Sequence, residues 1–375
     1  MPTADVKAER SPFISFIKVI AIISIFFHHF GSYRDLWGYI TIEEMNFFYG
    51  NAREIWDILY RTTRYGFISV NLFIFASGYG LTLSYLRKPV PWRDFYMRRF
   101  IRIFPLYWAA IGLQYFLDGS KDTASTIFHI FGMQALTGYY KDFSALWFVS
   151  VLVLMYFLFP LLLKVTQKLR VSLVILTALA GIYLNDIAAL TGYSYDALNL
   201  FQYIPFFILG MAVARFHLAK PIKGEGAWPY VCIVISAVVL AWLSERMGVP
   251  GERMRVQYYY LMSIAFAGIL YLPYMAIKRF RTVMRLVHWA DYGTYWFFMM
   301  HYTYIVHVTA YLAERKLIKS VMITKHYSYY PSDLQMYLWS PVILVTGMAL
   351  SIIVQGVYNK AVRRQRPQPN NADPS

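Results

Sequence analysis

Ten apolar stretches of about 20 residues recur along the 375-residue sequence. A helix needs about 20 apolar residues to cross the hydrocarbon core of a membrane, so each stretch is long enough to span it. The predicted spans are 12–31, 65–86, 100–118, 145–166, 171–190, 199–217, 227–244, 256–277, 292–313 and 336–357. The predicted fold class is therefore all-α, a polytopic membrane protein with about ten transmembrane helices.

Composition agrees with a membrane chain, because 58% of the residues are hydrophobic and only 15% are charged. A shorter apolar run, 124–138, is predicted to be re-entrant or interfacial. The first apolar run lacks an A-x-A cleavage site and is predicted to remain as the first helix. The single cysteine, Cys232, excludes an intrachain disulfide and a cysteine zinc site. No metal site is predicted, since the histidines are scattered.

The charges are unevenly divided between the two sides of the predicted membrane. If the N-terminus is cytoplasmic, 22 of the 36 lysines and arginines lie in cytoplasmic segments, and 14 of the 20 acidic residues lie outside. This positive-inside pattern predicts that both termini are cytoplasmic. It also accounts for the net charge of +16 without a nucleic-acid partner. The predicted organisation is a cytoplasmic segment 1–11, a membrane domain 12–358 and a disordered cytoplasmic tail 359–375.

The first span, "FIKVIAIISIFFHHF", contains ionisable residues, which are costly in lipid and are functional candidates. Lys18 and His29 are eleven residues apart, about 20° from three full helical turns, so they share a face and lie about 16 Å apart. An imidazole is suited to proton abstraction near neutral pH. His28 is rotated by about 80° from Lys18 and is the alternative base. A snorkelling lysine with interfacial histidines is the competing interpretation.

The stretch "WRDFYMRRFIRIFPLYW" carries three arginines, Arg98, Arg99 and Arg102. Arg98 and Arg102 are four residues apart and therefore share a helix face. Guanidinium groups at a membrane face suit phosphates. The alternative is an ordinary positive-inside anchor that contacts lipid headgroups.

Two other spans carry polar residues. Asn71 and Ser77 lie in "SVNLFIFASGYGLTLSYL", where small residues are also typical of helix–helix packing. His301 lies in the middle of the span within "DYGTYWFFMMHYTYIVH". A buried histidine is often structural, but the depth of His301 in the membrane favours a function. His307 is rotated well away from it.

Six stretches in this order resemble the acyltransferase-3 family of bacterial integral-membrane O-acyltransferases. The first span is similar to the family's R-x10-H helix, and "FYMRRFIRIFPLYW" is close to its "FxxRRxxRIxPxYW" segment, the most specific piece. The other matches are "SVNLFIFASGYGLTLSYL", "ALWFVSVLVLMYFLFPLLL", "FQYIPFFILGMAVARF" and "YGTYWFFMMHYTYIV". The resemblance spans about 15–310. In one departure, Lys18 occupies the position of the family's arginine, which keeps the charge and loses the bidentate fork.

The resemblance implies an enzyme that moves an acyl group from cytoplasmic acyl-CoA to a hydroxyl of a cell-envelope or exported glycan. It implies His29 as general base, with Lys18 and His301 as further catalytic residues. Phosphates of the donor are expected near Arg98, Arg99, Arg102 and Lys18. Supporting residues, for orientation or for the developing oxyanion, are expected to be His28, Asn71, Ser77 and Trp147.

The implied co-substrate is acetyl-CoA by default, with succinyl-CoA or another short acyl-CoA as the alternative, and no cofactor is permanently bound. Transfer can be direct or can pass through an acyl-histidine intermediate. The expected partners are membrane lipids of the bacterial inner membrane and a glycan acceptor, with acceptor specificity in the loop 31–64. The oligomeric state is not readable from the sequence.

Two other functions fit a polytopic chain. A transporter or flippase of a glycan or lipid-linked sugar predicts interrupted half-helices and internal symmetry, and neither is visible in the sequence. A membrane scaffold for a polysaccharide synthase leaves the Lys18–His29 spacing without a purpose.

Overall fold

The computed structural model describes residues 12–32, 65–119, 122–134, 146–168, 203–219, 252–317, 320–322, 329–331 and 334–364. Nearly all of these residues are helical. The helices are α1 (Pro12–Ser32), α2 (Ser69–Arg87), α3 (Trp92–Asp118), α4 (Thr123–Ile130), α5 (Trp147–Lys168), α6 (Ile204–Ala219), α7 (Glu252–Ile277), α8 (Arg281–Glu314) and α9 (Leu334–Arg364). A 3-10 turn, Tyr65–Ile68, leads into α2.

Five of these helices are long and apolar enough to cross a membrane, which identifies a polytopic membrane protein. They are α1, α2, α3, α5 and α9. Shorter apolar stretches, Ile204–Arg215 and Ala265–Ile277, lie in α6 and α7. The predicted spans 171–190 and 227–244 lie outside the described residues.

The helix α8 differs from the others in length and polarity. Its 34 residues extend about 51 Å, well beyond the hydrocarbon thickness of about 30 Å. It begins at Arg281, eleven residues before the predicted span 292–313. Most side chains from 291 to 301 are buried, so the helix packs among its neighbours and not mainly against lipid. Polar groups that α8 carries in this stretch can therefore meet protein partners.

Three segments differ from, or refine, the sequence predictions. Within 124–138, predicted as re-entrant or interfacial, the structure has the eight-residue helix α4, which begins where the Asp122 carboxylate accepts a hydrogen bond from the Ser125 N–H. The fold is not purely helical, because strands β1 (Ser320–Met322) and β2 (Tyr329–Pro331) form an antiparallel ribbon. Such a ribbon pairs its own backbone groups between α8 and α9, where the sequence predicts no regular element.

The last helix also runs further than predicted. It continues to Arg364, six residues into the predicted tail 359–375. Asn359 donates a hydrogen bond to the Tyr292 hydroxyl on α8 at 2.7 Å, which holds this end of α9 against its neighbour. Residues 365–375 lie outside the described residues.

The helices α1, α3 and α8 run in the same direction. In α3, Ile103 accepts a hydrogen bond from Tyr295, and Asp118 further along meets His307 further along α8. Between α1 and α8, Phe26 packs on Phe297, and His29, further along α1, packs on His301, further along α8. Polar residues at matching depths of these three helices can therefore face one another.

The helices α2, α5, α6, α7 and α9 run the opposite way. Gly66, just before α2, packs on Ser24 and His28 near the end of α1. In α5 and α6 the starts meet through Trp147 and Tyr203. Their later turns meet through Phe159 and Phe207, so the two helices are parallel to each other. The start of α1 packs on the end of α7 through Phe13 and Tyr274, and α9 returns along α8.

Small residues allow α2 and α6 to approach closely. A methyl group on Gly78 would overlap the Phe207 carbonyl, and one on Gly210 would overlap the Phe75 carbonyl. The packing role of small residues in α2 is thus confirmed at Gly78. It does not extend to Gly80, where an added methyl group would meet nothing within 4 Å.

Candidate functional site

Lys18 forms an ion pair with Asp291 inside the helix bundle. The Asp291 side chain is only 1% exposed, and that of Lys18 is 22% exposed. The second carboxylate oxygen of Asp291 accepts a hydrogen bond of 2.9 Å from the Ser15 hydroxyl. Lys18 is therefore not an isolated cation in α1, because a carboxylate of α8 compensates its charge.

Further along the same two helices, His29 lies against His301. Their ring centroids are 5.0 Å apart, and the rings of Phe26 and Phe297 stack between this level and the ion pair, at 6.0 Å. The contacts advance together along α1 and α8, so the two helices are parallel. Lys18 and His29 thus face the same neighbour, as their spacing predicts.

His301 is completely buried and its tautomer is fixed by the backbone. Its Nδ1 lies 2.6 Å from the Phe298 carbonyl oxygen, which can only accept, so Nδ1 carries the proton. The other nitrogen, Nε2, therefore carries a lone pair. Nε2 is buried and has no hydrogen-bond partner among the described residues. His301 can accept a hydrogen bond at this atom.

His28 and His29 have different surroundings, although both are partly exposed. The ring of His28 packs on Phe67 at 5.4 Å, beside the turn that begins α2. The ring of His29 contacts His301 and lies edge-on to Tyr302 at 5.5 Å. The ring of His29, which is partly exposed, thus contacts the buried imidazole of α8 directly.

The three arginines of α3 divide into two environments. Arg98 and Arg102 are exposed, whereas Arg99 is partly buried with its guanidinium over the rings of Phe95 and Tyr156, at 5.5 and 5.8 Å. The Arg99 Nε is buried and makes no hydrogen bond within the described residues. None of the three arginines pairs with a carboxylate in this part of the chain. Such a cluster can bind an anion from outside the chain.

The remaining candidates take part in contacts between helices. Asn71 donates a hydrogen bond of 2.7 Å to Ser263 on α7. Ser77 donates one of 3.1 Å to Tyr156 on α5, the residue whose ring lies beneath Arg99. Trp147, at the start of α5, packs on Tyr203. These three residues join α2, α5, α6 and α7 around the site.

Asp291 is the main site residue that sequence reasoning missed. It lies one residue before the predicted span 292–313, on the side of the membrane that the positive-inside pattern makes cytoplasmic. The structure brings it beside Lys18, because α8 starts ten residues earlier. A signal was present, since a lysine within a span requires a partner and few carboxylates are near enough in depth. Tyr302 was also missed, and aromatic content alone does not single it out.

A second histidine–carboxylate contact lies further along α8. His307 Nε2 is 2.9 Å from Asp118 Oδ1 at the end of α3, and both side chains are partly exposed. Within the described residues, no three His, Cys, Asp or Glu side chains converge as metal ligands would. The predicted acceptor loop 31–64 lies outside the described residues.

The bundle defines a polytopic membrane protein with a paired lysine, two facing imidazoles and a separate arginine cluster. A family model described as an acyltransferase domain matches residues 11–356. The chain belongs to the acyltransferase-3 family, as its motifs indicated, and family membership implies acyltransferase activity. No curated protein and no solved structure matches the chain significantly.

Proposed function

We propose that the protein transfers an acyl group from cytoplasmic acyl-CoA to a hydroxyl of a cell-envelope or exported glycan. The observation that carries this proposal is the contact of His29 with His301. A partly exposed imidazole on α1 touches a buried imidazole whose proton is fixed on Nδ1. This arrangement suits a general base that must accept one proton and soon release it.

In this mechanism His29 takes the proton of the acceptor hydroxyl as the hydroxyl oxygen attacks the thioester carbonyl. The carbon–sulfur bond breaks, and the leaving thiolate receives the proton from His29. The products are a glycan ester and free CoA thiol. His301 Nε2 can accept a hydrogen bond from the other nitrogen of His29 and so stabilise the imidazolium. An acyl-His29 intermediate remains the alternative route.

The surroundings of the two neighbouring histidines favour His29 over His28 as the base. The ring of His28 packs on Phe67, beside the turn into α2. The ring of His29 faces both His301 and Tyr302. In this proposal His28 supports the site and Tyr302 borders the acceptor.

The arginines of α3 are proposed to bind the phosphates of the donor. Arg98 and Arg102 are exposed, and Arg99 has no carboxylate partner within the described residues. Tyr295, one turn after Asp291 on α8, bonds to Ile103 beside Arg102, so the arginine cluster lies near the depth of the Lys18–Asp291 pair. From Asp291 to His301 is ten residues, about 15 Å along α8.

The donor therefore extends upward from the arginines past Lys18, with its thioester near His29. Acetyl-CoA is the proposed donor, and succinyl-CoA is the alternative. Asn71, Ser77 and Trp147 are proposed as supports, because their contacts hold the helices around the site.

The helix directions support ten crossings with both termini in the cytoplasm. The parallel helices α5 and α6 require a return between them, and so do α6 and α7. The apolar stretches 171–190 and 227–244 have the length for these returns. With the positive-inside pattern, the arginine cluster then faces the cytoplasm and the imidazoles lie in the outer half of a bacterial inner membrane. The proposed membrane domain is 12–358, between the cytoplasmic segments 1–11 and 359–375.

Mass spectrometry of the host's envelope glycans tests this function. Four strains are compared: wild type, deletion, His29→Ala and the matched control His28→Ala, each variant with its membrane level verified. We expect one ester mass to disappear in the deletion and in His29→Ala, and to persist at a reduced level in His28→Ala, because His28 supports the site without taking the proton. The lost mass also identifies the acyl group. A deletion that removes the glycan itself, with full esterification in His29→Ala, would contradict the proposal and favour export.

A further inference from the structure

The buried ion pair is the strongest feature of the bundle that the reaction itself does not use. We propose that Asp291 is a positioning residue that fixes the register of α1 against α8, and thereby holds His29 against His301. This inference rests on the proposed acyl transfer, since it assigns the pair a purpose in that reaction.

The first step is energetic. A carboxylate that is 1% exposed has little water to stabilise it, so its charge depends on Lys18 and on the hydroxyl of Ser15. Removing Lys18 takes away the cation beside a buried carboxylate, and removing Asp291 takes away the carboxylate beside a lysine that is 22% exposed. The charged contact that joins α1 to α8 at this depth is then lost, and the two helices are freer to slide or to move apart.

The second step is geometric. The pair and the imidazoles lie on the same two parallel helices, ten residues apart on α8 and eleven on α1. A slide of one residue moves His29 by about 1.5 Å along the axis, and a full turn moves it by about 5.4 Å. Ring centroids that start at 5.0 Å lose their contact well before a full turn. The register set by Asp291 is therefore transmitted directly to His29.

The two possible roles of Lys18, positioning of the helices and donor binding, predict different results when the charges are exchanged. If Lys18 acts through direct contact with the anionic donor, only a cation at position 18 can serve. If Lys18 acts through Asp291, exchanging the two charges preserves the register. The exchange Lys18→Asp with Asp291→Lys therefore distinguishes the two roles, as does the affinity for acetyl-CoA.

Register is measured without any reference to activity. The only cysteine is replaced by Cys232→Ser, and Phe26→Cys and Phe297→Cys are introduced where the two rings stack. Disulfide formation under mild oxidation is then quantified by peptide mass spectrometry in native membranes. The cysteine pair is placed in six proteins: one without a charge substitution, Lys18→Met, Asp291→Asn, Lys18→Arg, the exchange, and the control Asp122→Asn. The amide of the control still accepts the α4 capping hydrogen bond.

Glycan ester content is measured for the same charge variants without the introduced cysteines, and the Kd of acetyl-CoA is measured on purified protein in nanodiscs. We expect Lys18→Met and Asp291→Asn to lower both the cross-link and the ester content at least tenfold, with the Kd within twofold of wild type. Lys18→Arg and the exchange should recover at least a third of both signals, and Asp122→Asn should change neither. If the exchanged protein does not accumulate, the cross-link yields of Lys18→Met and Lys18→Arg are compared instead. Loss of the cross-link in Lys18→Met and its recovery in Lys18→Arg support positioning.

Two results overturn the inference. In one, Asp291→Asn keeps both the cross-link and the ester. In the other, Lys18→Met keeps the cross-link while the Kd rises tenfold or more, which assigns Lys18 to the donor. If the wild type itself adds no ester to the glycan, the proposed function fails, and the inference fails with it. The ester content of the wild-type strain alone distinguishes that outcome from the other two.

Discussion

Two groups of side chains at different depths in this bundle differ in what surrounds them: the imidazole level, His29 and His301, and the arginine level, Arg98 and Arg102. At the level of His29 and His301, the side chains are held by protein groups: a carbonyl fixes the proton of His301, and nearby aromatic rings surround it. At the level of Arg98 and Arg102, the cations are exposed and lack carboxylate partners within the described residues. The first level is arranged before any substrate arrives, whereas the second is open to an external anion. The contrast suggests that chemistry and donor binding are separable functions in this enzyme.

The largest expected effect on donor affinity comes from the exposed arginines. Arg98→Gln combined with Arg102→Gln should weaken acetyl-CoA binding about 100-fold, because each hydrogen bond to a charged group contributes about 1.5–3 kcal/mol and 1.4 kcal/mol is tenfold. The Kd is measured by calorimetry in nanodiscs. Arg93→Gln, in the first turn of the same helix, is the matched control and should stay within twofold. Equal losses in both proteins would mean that only the general surface charge matters.

A smaller effect is expected from pH at the imidazole level. In the proposed mechanism neutral His29 is the base, so the transfer rate should be highest above the pKa of His29 and should fall about tenfold for each pH unit below it. Guanidinium groups stay charged at these pH values, so the Kd of acetyl-CoA should change only a few-fold, as the donor's own phosphate titrates at about pH 6. The rate is measured in isolated host membranes with labelled acetyl-CoA, where the membranes supply the acceptor. If the transfer rate instead changes with pH in parallel with the Kd, the pH dependence arises from donor binding, and the two groups of residues do not have separate functions.

The smallest expected effect is on the stability of the α2–α6 contact. Gly78→Ala should destabilise the protein by about 1–3 kcal/mol, because the methyl group overlaps the Phe207 carbonyl across the α2–α6 contact. Gly80→Ala is the control on the same helix and should stabilise it by up to about 1 kcal/mol, since the added methyl group meets nothing. Thermal unfolding in detergent measures both. A stable Gly78→Ala protein would show that α2 and α6 can separate at no cost.

Sequence reasoning predicted much of the fold, because apolar length is a local property of the chain. The helix α3 and the spans in α1, α2, α5 and α9 follow from it directly. The start of α8 was missed, since the ten residues from Arg281 to Ala290 include charged side chains that a hydropathy rule assigns to a loop. The facing of Lys18 and His29 followed from helical periodicity, which is also local.

The partners of these residues could not be predicted in the same way. Asp291 lies 273 positions from Lys18, and only the packing of α1 on α8 brings them together. The contact of His29 with His301 has the same origin. The inward turn of Arg99 depends on Tyr156 of another helix, whereas the sequence gives three arginines that look alike. Pairings between helices belong to tertiary structure, and no periodicity within one helix encodes them.

The most direct test of the division between the two levels is the Kd of acetyl-CoA for purified His29→Ala in nanodiscs, read beside the ester content of the same strain. We expect a Kd within twofold of wild type together with a loss of ester of about 10²–10⁴-fold, the usual contribution of a general base. A His29→Ala protein that no longer binds acetyl-CoA would contradict this account, because His29 would then belong to the donor site.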